Sequence, residues 1–265
     1  MKNTYGPPSS TGAHQNISRA VMILDALAAA GKNGLRQADL VRATGLQKSV
    51  MHRALAGLTA YGLAAQNGEE PLFFLGDKIL AWMHQSKDRF ALADRIVPHL
   101  KSLAGDLLDT VYFSIIRNGD AVCYGREEGS FPIRTLTLEV GAVRPLGVGS
   151  GSLAILAFQP QETIERILAE RAEERSAYGI DDAMLRQNIK TTREKGYALH
   201  KGLFAEGMMG LGVPVLNAAG ECVGSLSTAA ITERLSLPRL DSVVTRIQAE
   251  ANRMSAELKE MLDEI

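Results

Sequence analysis

The sequence predicts an α+β protein in two parts, and three observations predict it. Before residue 62, three short segments carry apolar residues at helical spacing, and two short apolar runs around Asn67-Gly68 close the set. After residue 89, helical stretches alternate with strand-like ones hinged at Asn118-Gly119 and around NAAGE, residues 217–221. Charge is also uneven. Residues 1–75 hold seven Lys/Arg against four acids, a net of +3, so in a chain of net −1 the remainder carries −4.

Taken in order, residues 1–15 are rich in Gly, Pro and Ser without a period, which predicts a disordered tail. Ile17, Val21, Leu24, Leu27 and Ala28 share one face of a helix that ends near Gly31. QADLVRAT gives a second short helix up to Gly45, and Gln47–Tyr61 a third, stopped by Gly62. LAAQNGEEPLFFL reads as a small hairpin. Three helices and a hairpin in about sixty residues outline a winged helix-turn-helix over residues 16–75. A helical linker follows over 76–88, and residues 89–265 form the second domain with a mainly antiparallel sheet. In it, Phe90–Leu107 reads as a helix; TVYFSIIR and DAVCYGRE pair, as do GLGVPVL and CVGSLSTAA. Helices are expected around GSLAILAF, TIERILAERAEE and AMLRQNIKTTREKG. The last helix carries Leu240, Val244, Ile247, Ala251, Met254, Leu258 and Met261 in steps of four and three. That stripe suits either a coiled-coil seam or, as three heptads favour, packing on its own sheet.

The third helix is two-sided. At 100° per residue Val50, Met51, Ala54, Leu55, Leu58 and Tyr61 fall on one arc, and Lys48, Ser49, His52, Arg53, Ala56 and Thr59 on the other. Exposed helix faces often carry Lys and Arg, so charge alone decides nothing. The order short helix, glycine turn, polar-faced helix points to a helix that enters the major groove of DNA. Arg36, Gln37, Gln47, Lys48, Ser49, His52 and Arg53 are the candidate contacts.

Composition removes other classes. An apolar fraction of 46% with 22% charged residues is that of an ordinary globular protein. Cys123 and Cys222 lie far apart, and the five histidines show no metal-ligand spacing, so neither a disulfide framework nor a metal site is expected. The apolar run Ala20–Ala30 is interrupted by Asp25 and too short to span a bilayer. No signal pattern opens the chain, and a cytoplasmic protein without cofactor is the expectation.

Gly149-x-Gly151-x-x-Ala154 matches a dinucleotide fingerprint, which raises an enzyme reading. Its context fails: AVRPL, with Arg144 and Pro145, is a poor buried strand, and Glu170 lies in a helical run. No nucleophile, base or triad is evident, so no catalytic residue is assigned. A non-catalytic scaffold or co-regulator with a degenerate helix-turn-helix is the alternative.

SRAVMILDALA, LRQADLVRATGLQKSVMHRALAGLTAYGL, PLGVGSGSLAILAF, GYALHKGL and GVPVLNAAGECVGSLSTAA follow one another in a pattern that resembles the IclR family of bacterial transcriptional regulators. The resemblance runs from about Ile17 to the last helix. Lys48, Ser49 and Arg53 occupy the family's usual polar positions, and Gln47 replaces a frequent proline. It implies a homodimer or homotetramer that binds an operator in double-stranded DNA, with a GAF-like second domain that takes a small-molecule effector. Its pocket would be walled by the Ser150-Gly151 turn, where relatives often read glycine, alanine, glycine, lysine and this chain reads Ser150 to Leu153. His200, Gly210, Ser227 and Ala229 carry over as further pocket positions, with Arg134 and Leu136 from FPIRTLTL. Serines, a histidine and an arginine suit a small carboxylate or hydroxylated acid.

Overall fold

The computed structural model describes residues 15–68, 71–236 and 239–265. The chain divides into two compact units, Met1–Ala91 and Leu92–Ile265. Of the tail expected over residues 1–15, all but Gln15 lies outside the described residues.

In the first unit, α1 (Gln15–Ala30) is followed by β1 (Leu35–Arg36), α2 (Gln37–Thr44) and α3 (Lys48–Ala60). β2 (Ala64–Gln66) and β3 (Leu72–Leu75) then form the hairpin, and α4 (Asp77–Gln85) closes the unit. The helices meet through one apolar cluster built on Ile23, Leu27, Leu40, Met51, Leu55 and Leu58. Each is almost wholly buried, and each contributes roughly 1.5–3 kcal/mol relative to exposure. The glycine between α2 and α3 is required by geometry. Gly45 adopts φ +69° and its N–H closes α2 on Val41 O at 2.9 Å, a left-handed cap that a side chain disfavours.

Two details depart from expectation. β1 pairs with β3 to give a three-stranded sheet of order β1-β3-β2, although two residues are too few to show a strand pattern. Tyr61, expected in the buried arc of α3, is 72% exposed. It stands at the helix's C-cap with φ −89° and ψ 0°, where the chain has left the helical spiral that the projection assumed.

The division falls within α5 (Lys87–Leu107), which is followed in the second unit by β4 (Thr110–Arg117), β5 (Asp120–Glu127) and β6 (Val143–Pro145). Next come α6 (Ser150–Ala157), α7 (Gln161–Glu170), α8 (Ala172–Ser176) and α9 (Asp182–Lys195). β7 (Ala198–Lys201), β8 (Met208–Leu216), β9 (Cys222–Ile231), α10 (Arg239–Glu257) and α11 (Lys259–Asp263) complete it. One six-stranded sheet of order β6-β5-β4-β9-β8-β7 holds it together, and its neighbouring strands pair antiparallel.

The two faces of this sheet are covered by different helices. α5 and α10 share a cluster with Phe113, Ile115, Val213 and Leu226. Val244, Ile247, Ala251 and Met254 are buried in that cluster, so the C-terminal stripe packs on its own sheet. His99 of α5 and Glu250 of α10, both buried, join the two helices through a 2.7 Å contact. α6 and α9 belong to a second cluster with Leu146, Leu153 and Leu185. α6 lies so close to the sheet that a Cβ on Gly212 would stand 2.4 Å from Ser150 O. That approach puts the start of α6 directly against β8, and a cavity opens beside it.

Candidate functional site

The exposed face of α3 carries Lys48, Ser49, His52, Arg53, Ala56 and Thr59, and the opposite side is held by Met51, Leu55 and Leu58. None of Lys48, His52 and Arg53 has a salt-bridge partner among the described residues. Gln47 is the N-cap of α3, and Gln37 Nε2 donates to Lys48 O at 3.3 Å, tying α2 to the first turn of α3. Arg36 precedes α2, exposed, its N–H bonded to Asp39. The Arg42 guanidinium beside Asp39 holds that carboxyl below its ordinary range, so the pair neutralises itself and leaves α3 as the cationic side. The seven expected positions thus lie on α2 and α3, the turn between them, and the end of β1 that caps α2.

The cavity of the second unit has a volume of about 60 Å³ and is bounded by β4, the segment before β6, the start of α6, β7 and β8 with their connecting loop, and β9. It brings together six of the eight residues expected for a ligand site: Ser150, Gly151, His200, Gly210, Ser227 and Ala229. Their proximity follows from the sheet register. His200 faces Gly210 across β7 and β8, and Gly210 faces Ala229 across β8 and β9. Two glycines make the space. A Cβ at Gly210 would stand 2.6 Å from Ser150 Oγ, and one at Gly151 would stand 3.0 Å from Ser227 Oγ.

Arg134 and Leu136 do not line this cavity. Arg134 is exposed and its Nη1 bonds Glu128 at 2.8 Å; Leu136 is also exposed. Of the segment that carries them, Thr137 and Leu138 are the residues that line the cavity. Tyr112 anchors the segment. Its hydroxyl donates to Thr135 O at 2.6 Å and accepts from Thr137 N–H at 3.3 Å. Burial pushes this phenol above its ordinary value of 10, which keeps the hydroxyl protonated as a donor.

Arg144 is the residue that sequence reasoning missed. It lines the cavity from β6, donates through Nη2 to Thr137 O, and places its Cζ 4.0 Å from the centre of the Phe204 ring. Among the described residues it has no carboxylate partner, and burial lowers its pKa from the ordinary guanidinium value. A signal existed: it is a lone cation in the apolar run AVRPLGV, immediately before a glycine turn. His200 is the other unsatisfied group. Its Nε2 is buried without a hydrogen-bond partner, and burial alone pushes the imidazole below its ordinary 6.5. The pocket therefore offers one guanidinium, neutral hydroxyls and a neutral imidazole on a largely apolar wall. A guanidinium flanked by hydroxyls is chemistry that can pair with an anion.

The glycine fingerprint falls at the N-terminus of α6, with Gly149 at φ +91° as its cap. A dinucleotide fold needs a parallel strand leading into that turn. Here the preceding strand, β6, pairs antiparallel with β5.

The chain matches the model of the IclR helix-turn-helix domain over residues 17–68, and that of the bacterial transcriptional regulator IclR C-terminal domain over residues 84–256. It is similar to the HTH-type transcriptional regulator BhcR of Paracoccus denitrificans, 26% identical over 247 residues, which cover 92% of this chain and 88% of that one. The glycerol operon regulatory protein of Streptomyces griseus is 27% identical over 221 residues, covering 83% and 86%. Among solved structures, Thermotoga maritima IclR shares the fold with a TM-score of 0.73 at 18% identity, covering 92% of this chain and 99% of that one. An IclR homologue of Microbacterium hydrocarbonoxydans, complexed with 4-hydroxybenzoate, gives 0.66 at 17%, covering 92% and 99%. These relatives are named as regulators and not as enzymes, and both units of the chain are accounted for by the two matched models. The chain belongs to the IclR family of bacterial transcriptional regulators.

Proposed function

We propose that this protein binds an operator in double-stranded DNA through α3 and the start of α2, and that a small carboxylate or hydroxylated acid in the second unit modulates the binding. Residues 16–75 act as the winged helix-turn-helix, 76–88 as the linker helix, and 89–265 as the GAF-like effector domain. The observation that carries the reading is the presence of a cationic helix face without salt-bridge partners among the described residues and of a largely apolar cavity holding a few polar groups, each in its own compact unit. The homologue solved with 4-hydroxybenzoate supports an acid of that size and kind as effector.

Dimers or tetramers of this chain in the cytoplasm fit the same reading. Ile17 on α1 and Leu80, Trp82 and Met83 on α4 are large apolar side chains left exposed, as expected where a second copy covers them. Among the described residues no helix is long and apolar enough to cross a membrane.

The test is an electrophoretic shift on the DNA flanking the protein's own coding region, at low and moderate salt, with and without 4-hydroxybenzoate. The parent should give a salt-sensitive shift over a two-fold symmetric site. Loss of the shift in the Lys48→Ala, Arg53→Ala double variant supports α3 as the reading helix. An undiminished shift overturns it.

A further inference from the structure

We propose that Arg144 is the anchor for the effector's carboxylate, gripping it edge-on between the guanidinium and the first amides of α6, with Phe204 as the wall that favours a flat ligand body. This rests on the cavity being the effector site and goes on to name the group that selects the ligand's charge. Four observations carry it.

First, the guanidinium lines the cavity and has no carboxylate partner among the described residues. Three arginines elsewhere in the unit do have one: Arg234 and Arg239 both reach Asp109, and Arg246 reaches Glu250. Arg117, half-buried over Tyr124 at the end of β4, has none among the described residues and does not line this cavity. A guanidinium withdrawn from water without a counter-charge is costly, and an anion entering the cavity offsets that cost.

Second, the guanidinium is oriented. Nη2 is bonded to Thr137 O, and the Phe204 ring covers one side at 4.0 Å. Arginine binds a carboxylate in its own plane, through two parallel N–H groups. With one side covered and one Nη2 hydrogen given to Thr137 O, the edge formed by Nη1–H and the second Nη2–H remains for that contact.

Third, Nη1 lies close to the helix start. It lies 3.4 Å from where a Cβ on Gly149 would stand, and Phe204 Cε2 lies 3.2 Å from the same point. Gly149, at φ +91°, is the N-cap of α6, whose first amides have no intrahelical partner. Any side chain at 149 would crowd both groups, so the glycine keeps the edge of the guanidinium open.

Fourth, Phe204 is held at this place. It stands in the short loop between β7 and β8, closed by Gly202 N–H on Met208 O at 2.8 Å. Tyr178 packs edge-on against it at 6.4 Å and 81°. The ring is 39% exposed, so the loop presents an apolar face rather than hiding it.

The experiment measures binding of benzoate, hexanoate and butyrate, each beside its primary amide, by calorimetry on the full-length protein. The panel is run on the parent, Arg144→Met, Arg144→Lys, Phe204→Leu and Gly210→Leu, after thermal unfolding has shown which variants fold. Acids should bind the parent and amides should not, because only the acid pairs with the guanidinium. Arg144→Met should weaken the acids about ten- to a hundredfold, the scale of a charge-assisted pair. Arg144→Lys, which keeps charge but loses the fork, should fall between, and it replaces the methionine variant if that one does not fold. Phe204→Leu should narrow the preference for benzoate over butyrate.

Amides that bind as well as acids overturn the inference, and so does a panel in which no acid binds. Acid binding that survives Arg144→Met but is lost in Gly210→Leu overturns the role of Arg144 and leaves the pocket standing. Binding that survives Gly210→Leu places the ligand elsewhere and overturns the pocket itself.

Discussion

The two cationic places in this chain are built on opposite terms. α3 holds Lys48, His52 and Arg53 in open solvent, with long side chains and no fixed partners among the described residues. Arg144 is withdrawn into a cavity, bonded to Thr137 O and stacked on Phe204. Exposed cations bind a polyanion by number: each phosphate contact releases counterions, so affinity falls with salt. An enclosed, oriented guanidinium binds one anion by geometry, in a low-dielectric setting that salt screens much less. On the proposed reading, the same residue type would serve a long duplex in one unit and a small acid in the other.

The largest expected effect breaks the comparison on the pocket side. Gly210→Leu puts a side chain where a Cβ alone already stands 2.6 Å from Ser150 Oγ. Overpacking of this kind costs about 1–3 kcal/mol of stability, which a folded domain of this size tolerates. The variant should give no heat with the acid that binds the parent, yet shift operator DNA as the parent does. Ligand response equal to the parent's would mean the cavity is not the effector site.

On the DNA side, Arg53→Ala should weaken operator binding by about 1–3 kcal/mol with unchanged helicity, because the position faces away from the core. Titrations at several salt concentrations separate its role further. A phosphate contact should reduce the salt slope by about 1, whereas a base contact should relax sequence preference and leave the slope nearly intact. Equal affinity for variant and parent would remove α3 from the interface. Acid binding should be nearly flat over the same salt range.

How much of this was legible follows from how each place is assembled. The polar face of α3 comes from one continuous helix, so a period of 3.6 reveals it, and only Tyr61 was misplaced, where the spiral ends. The cavity is assembled from segments that start at Tyr112 and end at Ala229, and no local period links them. Six of its residues were reached through resemblance to a family. Arg144 was read as an argument against a buried strand, and β6 is indeed a short edge strand. The charge that makes AVRPL a poor buried strand is the same charge that faces the cavity. Arg134 shows the converse: a lone arginine in an extended segment, it pairs with Glu128 at the surface.

Ser227 gives a smaller effect. Its hydroxyl is near the position a Cβ on Gly151 would take, and it lines the cavity from β9. If it donates one neutral hydrogen bond to the ligand, Ser227→Ala should cost about 0.5–1.5 kcal/mol in acid affinity and leave DNA binding alone. A loss as large as that of Arg144→Met would mean that the charge is held elsewhere.

The smallest effect tests whether the cavity's second polar group is kept neutral. Burial pushes the His200 imidazole below its ordinary value of 6.5. As pH falls through 6.5 the unfolded chain takes up a proton that the folded protein still refuses. The unfolded state then binds more protons, so stability contributed at neutral pH is lost on acidification. His200→Gln removes that proton and keeps a polar side chain of similar reach. Parent and variant should therefore be compared by thermal unfolding at pH 7.5 and pH 5.5. The parent's midpoint should drop more than the variant's between the two. A parent that gains on the variant at pH 5.5 would show that His200 is protonated in the folded state, and that the pocket holds a second cation beside Arg144.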